Sequence, residues 1–119
     1  MTAYAFANLR TRRPHLDIVE YLERIQATLT PYAGRFLVHG APTEVLEGSW
    51  PGHMVLIEFP DAATARAWYD SPGYRAILPL RTAHIEADVV LAEGVGPDYD
   101  PAASAAYVRA EVERAAANA

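Results

Sequence analysis

The stretch that most restricts the choice of fold is His53 to Arg81, HMVLIEFPDAATARAWYDSPGYRAILPLR. It opens with Met54-Val55-Leu56-Ile57-Glu58-Phe59, a short apolar run rich in β-branched residues, which reads as a buried strand. Pro60 ends the run. Asp61 is then placed to cap a helix with Ala62, Ala65, Trp68 and Tyr69 on one face. Ser71-Pro72-Gly73 breaks that helix, and Tyr74 to Leu80 reads as a further helical segment stopped near Pro79. A strand that leads straight into a helix calls for helices layered on one face of a sheet. Glu58 stands out as a lone acid inside the most apolar strand.

The remaining elements follow in order. Thr2 to Arg10 alternates, with Tyr4, Phe6, Asn8 and Arg10 on one side and Ala3, Ala5, Ala7 and Leu9 on the other. His15 to Leu29 shows helical spacing at Ile18, Leu22, Ile25 and Leu29, with Asp17 and Glu20 near its start. Thr30 to Gly34 punctuates it. Arg35 to Gly40 reads as a second strand, bent at Gly40-Ala41-Pro42 and resumed at Thr43 to Glu47. Gly48 to Gly52 forms a turn-rich link to the Met54 strand, making a hairpin. Ile85 to Glu93 is the fourth strand. Strand, helix, strand, strand, helix, strand is the ferredoxin-like pattern: α+β, an antiparallel sheet with both helices on one face. This unit takes residues 1–95. Residues 96–119 form a linker and an Ala-rich helix from Ala102 to Ala117, in which only Tyr107, Val108 and Val112 offer apolar contacts, so the helix either docks on a neighbour or partner chain or frays in solution.

Bulk properties remove several functional classes. A 119-residue chain with 51% hydrophobic and 21% charged residues is a globular domain, and no apolar run approaches the ~18 residues that span a bilayer. The N-terminus lacks a signal-peptide layout, so a cytoplasmic location is expected. The absence of cysteine excludes disulfides and thiolate metal sites. A net charge of −5 argues against a nucleic-acid partner, and the cluster Arg10, Arg12, Arg13 reads as a solvated loop.

Alternation assigns two sheet faces. Ala3, Ala5, Ala7, Leu9, Phe36, Val38, Val55, Ile57, Phe59, Val89 and Leu91 form the helix-covered core. The opposite face carries Tyr4, Phe6, Asn8, Arg35, Leu37, His39, Met54, Leu56, Glu58, Asp88 and Val90. That second face is an apolar patch large enough to need a cover, and the same face of a second copy supplies one in a two-fold homodimer. With the first and third strands taken as parallel neighbours, Asn8, Asp88 and His39 are expected to gather near Glu58. A one-residue slip in the bent strand would turn His39 to the other face.

Gly34-Arg35-Phe36-Leu37-Val38, the run Glu44 to Gly48 with Trp50-Pro51, Ile57-Glu58-Phe59-Pro60, Ala67 to Pro72 with Tyr74, and Asp88 to Val95 together resemble the family catalogued as domain of unknown function 1330. The likeness is close over residues 30–95 and holds in layout only for the first strand and helix. It implies membership of the wider dimeric α/β-barrel group, in which two ferredoxin-like units join sheet to sheet. His39 stands where family members usually carry Arg, and the Ala-rich tail lies outside the family domain. No established reaction comes with the resemblance.

The chemistry rests on few groups. Glu58 is a candidate acid or base, or else an ion-pair partner of Arg35 or His39. His39 suits proton transfer near neutrality, Asp88 is a second acid nearer a strand end, and Asn8 and Arg35 are candidates to orient a substrate oxygen. Tyr74, beside the Ser71-Pro72 break, is placed to reach a pocket, although Trp68, Tyr69 and Tyr74 read first as core. Arg81 suits a substrate carboxylate or its own helix C-terminus. His15, His53 and His84 lack metal-site spacing, and no phosphate loop, nucleophile elbow or dinucleotide fingerprint is present. No cofactor and no metal are expected. Two readings remain. One is a homodimeric small-molecule-binding protein that is a cofactor-independent acid/base enzyme of isomerase, lyase or cyclase type on a small oxygenated metabolite, with Glu58 as base and His39 or Asn8 positioning the oxygen. The other is a non-catalytic binding or interaction module whose polar sheet residues only fix dimer register. The sequence does not choose between them.

Overall fold

The structure, a computed structural model, describes residues 1–11 and 13–119; Arg12 of the basic cluster lies outside the described residues. The first helix, α1 (Leu16–Leu29), starts at His15, whose extended backbone and Nδ1 accept the chain's turn: the Asp17 N–H donates to that nitrogen at 3.0 Å. A 3₁₀ turn over Thr30–Tyr32 and a left-handed Ala33 (φ 54°) end it, with the Gly34 N–H donating to Leu29 O. Gly34 is required by proximity, since a Cβ there would press on Leu29 and Phe59 at 2.8 Å.

Strands β1 (Ala3–Leu9), β2 (Arg35–His39), β3 (His53–Phe59) and β4 (Ala87–Glu93) form one sheet in the order β2-β3-β1-β4, antiparallel throughout. The α1 crossover makes β1 and β2 parallel, and the β2–β3 hairpin reverses direction. β3, lying between them, therefore runs opposite to β1. This corrects the expected parallel β1–β3 pair. Tyr4, not Asn8, stands opposite Glu58, and Asn8 pairs across to Met54 and Asp88.

Two further expectations fail around β2. The strand ends at His39, and Thr43 to Glu47 form no strand; Gly40, at φ 66°, turns the chain out of the sheet. A β-bulge lies between Phe36 and Val38, so Leu37 is the extra residue and the pairs are Phe36↔Ile57, Val38↔Leu56 and His39↔Val55. Val38 and His39 thereby exchange faces relative to strict alternation.

Helices α2 (Ala62–Asp70) and α3 (Pro72–Thr82) meet at Ser71. Its Oγ donates to Trp68 O at 2.7 Å, ending α2, and accepts from the Tyr74 N–H at 3.2 Å, starting α3. α3 passes through Pro79 to Thr82 instead of stopping there, and β4 begins at Ala87 rather than Ile85. Between the helices and the sheet lies the core, with Phe59, Leu29 and Ile77 fully buried around Trp68, Tyr74, Ile25 and Ile57. Tyr21 takes the inward position on α1, whereas Leu22 is exposed.

The last helix, α4 (Ala102–Ala117), is exposed along its length except at half-buried Ala110. It stretches the chain to 57 Å against 31 and 27 Å on the other axes, and the 18.1 Å radius of gyration exceeds the ~13.5 Å of a compact domain this size. Among the described residues no helix is long and apolar enough to cross a membrane.

Candidate functional site

A cavity of about 210 Å³ opens between α1, α3 and the helix-side face of the sheet. It lies where β1 ends and β3 begins, because small Ala5 and Ala7 on the central strand leave space that α1 does not fill. Most of the wall is apolar. The polar groups that reach it are Tyr21 from α1, Tyr74 and Arg81 from α3, and His39 and His53 from the facing ends of β2 and β3. The two histidines are exposed and mark the mouth; Tyr21, Tyr74 and Arg81 are buried.

The buried polar groups form one unit. The Tyr21 and Tyr74 hydroxyls share a 2.8 Å hydrogen bond, with the rings edge to face at 6.2 Å. The Arg81 guanidinium carbon lies 6.0 Å from the centroid of the Tyr21 ring. Burial pushes the Tyr21 phenol well above its ordinary value, and the neighbouring Tyr74 adds to the rise. Burial opposes the charge on Arg81, but the Tyr74 and Tyr21 oxygens outweigh it and hold its pKa above the usual value. Among the described residues Arg81 makes no ion pair, and neither Asp nor Glu lines the cavity.

Of the residues singled out in the sequence, three reach this cavity: His39, Tyr74 and Arg81. His39 does so because of the bulge, with its ring stacked on Phe36 at 4.5 Å. The other four lie on the opposite sheet face and do not form one group. Glu58, at the Phe59 end, takes a hydrogen bond from Arg35 Nε at 3.2 Å. Asp88, at the other end, takes one from Arg10 Nε at 2.8 Å, with Glu86 also against Arg10. Asn8 sits beside Asp88, its Oδ1 buried and without a hydrogen bond among the described residues. A Cβ on Gly52 would overlap the Asn8 side chain, and Trp50 meets Phe6 edge to face at 5.8 Å, so the loop after β2 covers this end. The expected cluster of Asn8, His39, Asp88 and Glu58 is therefore split by both the strand direction and the bulge.

Tyr21 was missed by the sequence reading, although its spacing from Ile18 and Ile25 is the helical signal that places it inward. A long-range trio was also missed. His84 Nε2 lies 2.9 Å from Asp17 Oδ2, and His15 Nδ1 lies 3.5 Å from the same oxygen. The ligating atoms are close enough to hold a metal ion. The two imidazoles, however, stack at 3.8 Å with planes 17° apart, so their planes do not meet within bonding reach of the ring nitrogens, as metal coordination needs. The trio ties the loop before β4 to the start of α1.

Among solved structures the chain is similar to a protein of unknown function from Rhodopseudomonas palustris, with 16% identity, a TM-score of 0.63, and 81% of this chain and 84% of that one covered. It is also similar to a dimeric ferredoxin-like protein of unknown function from Jannaschia sp., at 16% identity and TM-score 0.56, covering 79% and 100%. A third is SnoaB, a cofactor-independent oxygenase from Streptomyces nogalater, at 15% identity and TM-score 0.50, covering 83% and 96%. These likenesses agree with the ferredoxin-like fold. No curated protein matches. The family model for a domain of unknown function matches residues 2–95, the whole sheet and its helical layer, and the chain belongs to that family, DUF1330.

Proposed function

We propose that this chain binds a small molecule in the cavity between α1, α3 and the sheet, and that it does so as a homodimer joined through the outer sheet faces. The cavity carries the reading: apolar walls with a few converging buried polar groups are the usual form of a small-molecule site. Tyr4, Phe6, Val38, Met54, Leu56 and Val90 make the outer face apolar, and Glu58–Arg35 and Arg10–Asp88 at its two ends set the register of the pair. The similar ferredoxin-like protein from Jannaschia is dimeric, which supports a homodimer here.

An acid/base enzyme is the second reading, and the position of His39 favours it. An imidazole at the mouth of an otherwise apolar cavity suits proton transfer to a bound carbonyl or phenol. Glu58 has no part in that step, since it faces away from the cavity.

The test fills the space. In Ala7→Met the added side chain occupies the cavity while the sheet and helices persist. Small-fragment binding followed by amide NMR shifts is expected around Tyr21, Val55 and Arg81 in the wild type and to disappear in the variant. Fragments that bind both proteins alike, or that shift only other regions, would remove the cavity from the function.

A further inference from the structure

Arg81 is the group whose surroundings leave it incomplete. Its side chain is buried, with the residue 8% exposed, yet no acid among the described residues pairs with it. A buried cation without a counter-charge is costly. The C-terminus of α3 and the two phenol oxygens offset part of that cost through dipoles, not through a full charge.

The hydrogen-bond inventory points the same way. The guanidinium has only donors. In the Tyr21–Tyr74 pair one hydroxyl donates to the other, which leaves the second proton free to point into the cavity. A fork of N–H donors beside a spare O–H, with no acid on the wall, matches an acceptor-only ligand. The remaining wall, including Ile18, Ile25, Val55 and Ile57, is hydrocarbon. The volume, about 210 Å³, has room for an acid the size of benzoate or hexanoate.

We infer that the cavity takes a small organic monocarboxylate, its carboxylate held by Arg81 with the Tyr21 and Tyr74 hydroxyls and its hydrocarbon part against the aliphatic wall. The inference rests on the cavity being the binding site proposed above. It assigns that site a charge, a size and an orientation: carboxylate inward at α3, apolar end toward His39 and His53.

Calorimetric titration of the full chain at neutral pH compares benzoate and hexanoate with benzyl alcohol, hexan-1-ol and inorganic phosphate. The acids are expected to bind at least about tenfold more tightly than their alcohols, and phosphate to bind weakly. Arg81→Gln should erase that preference without weakening the alcohols, and Arg81→Lys should keep part of it. If Arg81→Gln does not fold, the Tyr21→Phe/Tyr74→Phe double variant makes the same comparison: a reduced acid preference supports the assignment and an unchanged one overturns it. Alcohols binding as well as acids, phosphate binding as well as either acid, or an acid preference that survives in Arg81→Gln would each overturn the carboxylate and leave the cavity standing as the site. Binding by none of the compounds would overturn both readings.

Discussion

Tyr21 is a small apolar surface with a polar tip, and its surroundings decide which of the two matters. The phenol sits inside the core, hydrogen-bonded to Tyr74, and burial keeps it protonated far above the value it has in water. The folded form therefore holds its proton where the unfolded chain releases it, so the contribution of this residue is complete below about pH 10 and declines as pH rises beyond that. Each pH unit above that point should cost up to about 1.4 kcal/mol through this group. Urea unfolding followed by circular dichroism between pH 8 and 11 is expected to show a steeper alkaline loss in the wild type than in Tyr21→Phe. Parallel curves would show that the phenol titrates as it does in the unfolded chain. At neutral pH the same substitution should cost about 1–2 kcal/mol, because the Tyr74 hydroxyl loses its buried partner.

At the scale of elements, β2 shows how one inserted residue redirects chemistry. Leu37 has no cross-strand partner, and its presence turns His39 from the outer face toward the cavity. Deleting Leu37 should leave a regular strand with Phe36, Val38 and His39 in their present pairings, at a stability cost below about 1 kcal/mol, since the lost side chain is partly exposed. Thermal melting, with NMR contacts between His39 and Val55, checks this; unfolding or a reversed His39 would mean that the bulge itself holds the strand. The same strand marks how far the sequence could be read. Period-two and helical spacing located all four strands and three of the helical segments, because a repeating apolar pattern marks each in the sequence, although Val89 and Leu91 of β4, expected in the core, are exposed. A bulge leaves that pattern unchanged on either side and is visible only against the partner strand. Strand direction in the sheet likewise follows from the crossover and the hairpin taken together, so the wrong β1–β3 direction carried Asn8 to the wrong end of Glu58. Tyr74 and Arg81 were legible as pocket residues because they flank a helix break and a helix end. Tyr21 was overlooked because Leu22, one position on, fits the helical spacing equally well and is the more apolar of the two.

For the whole molecule, the outer sheet face is an apolar surface that no helix among the described residues covers. Partial burial of Phe6 beside Trp50 covers part of it, but Val90, opposite Phe6 on one side, remains 53% exposed, and Leu56, opposite Phe6 on the other, stands next to Met54 on β3. Leu56→Arg places a charge at the centre of this face, where a second copy would bury it. Light scattering is expected to give twice the 13.0 kDa chain mass for the wild type and a single chain mass for the variant. A variant with the wild-type mass would move the contact elsewhere. The projecting α4 bears on how such masses are measured. A 16-residue rod of about 24 Å adds little weight and sweeps out much solvent, so two of them on a dimer slow its tumbling and hasten its passage through a sizing column. Elution volume alone would therefore overstate the number of chains, and part of the excess would vanish when the rod is cut off while the stoichiometry stayed the same.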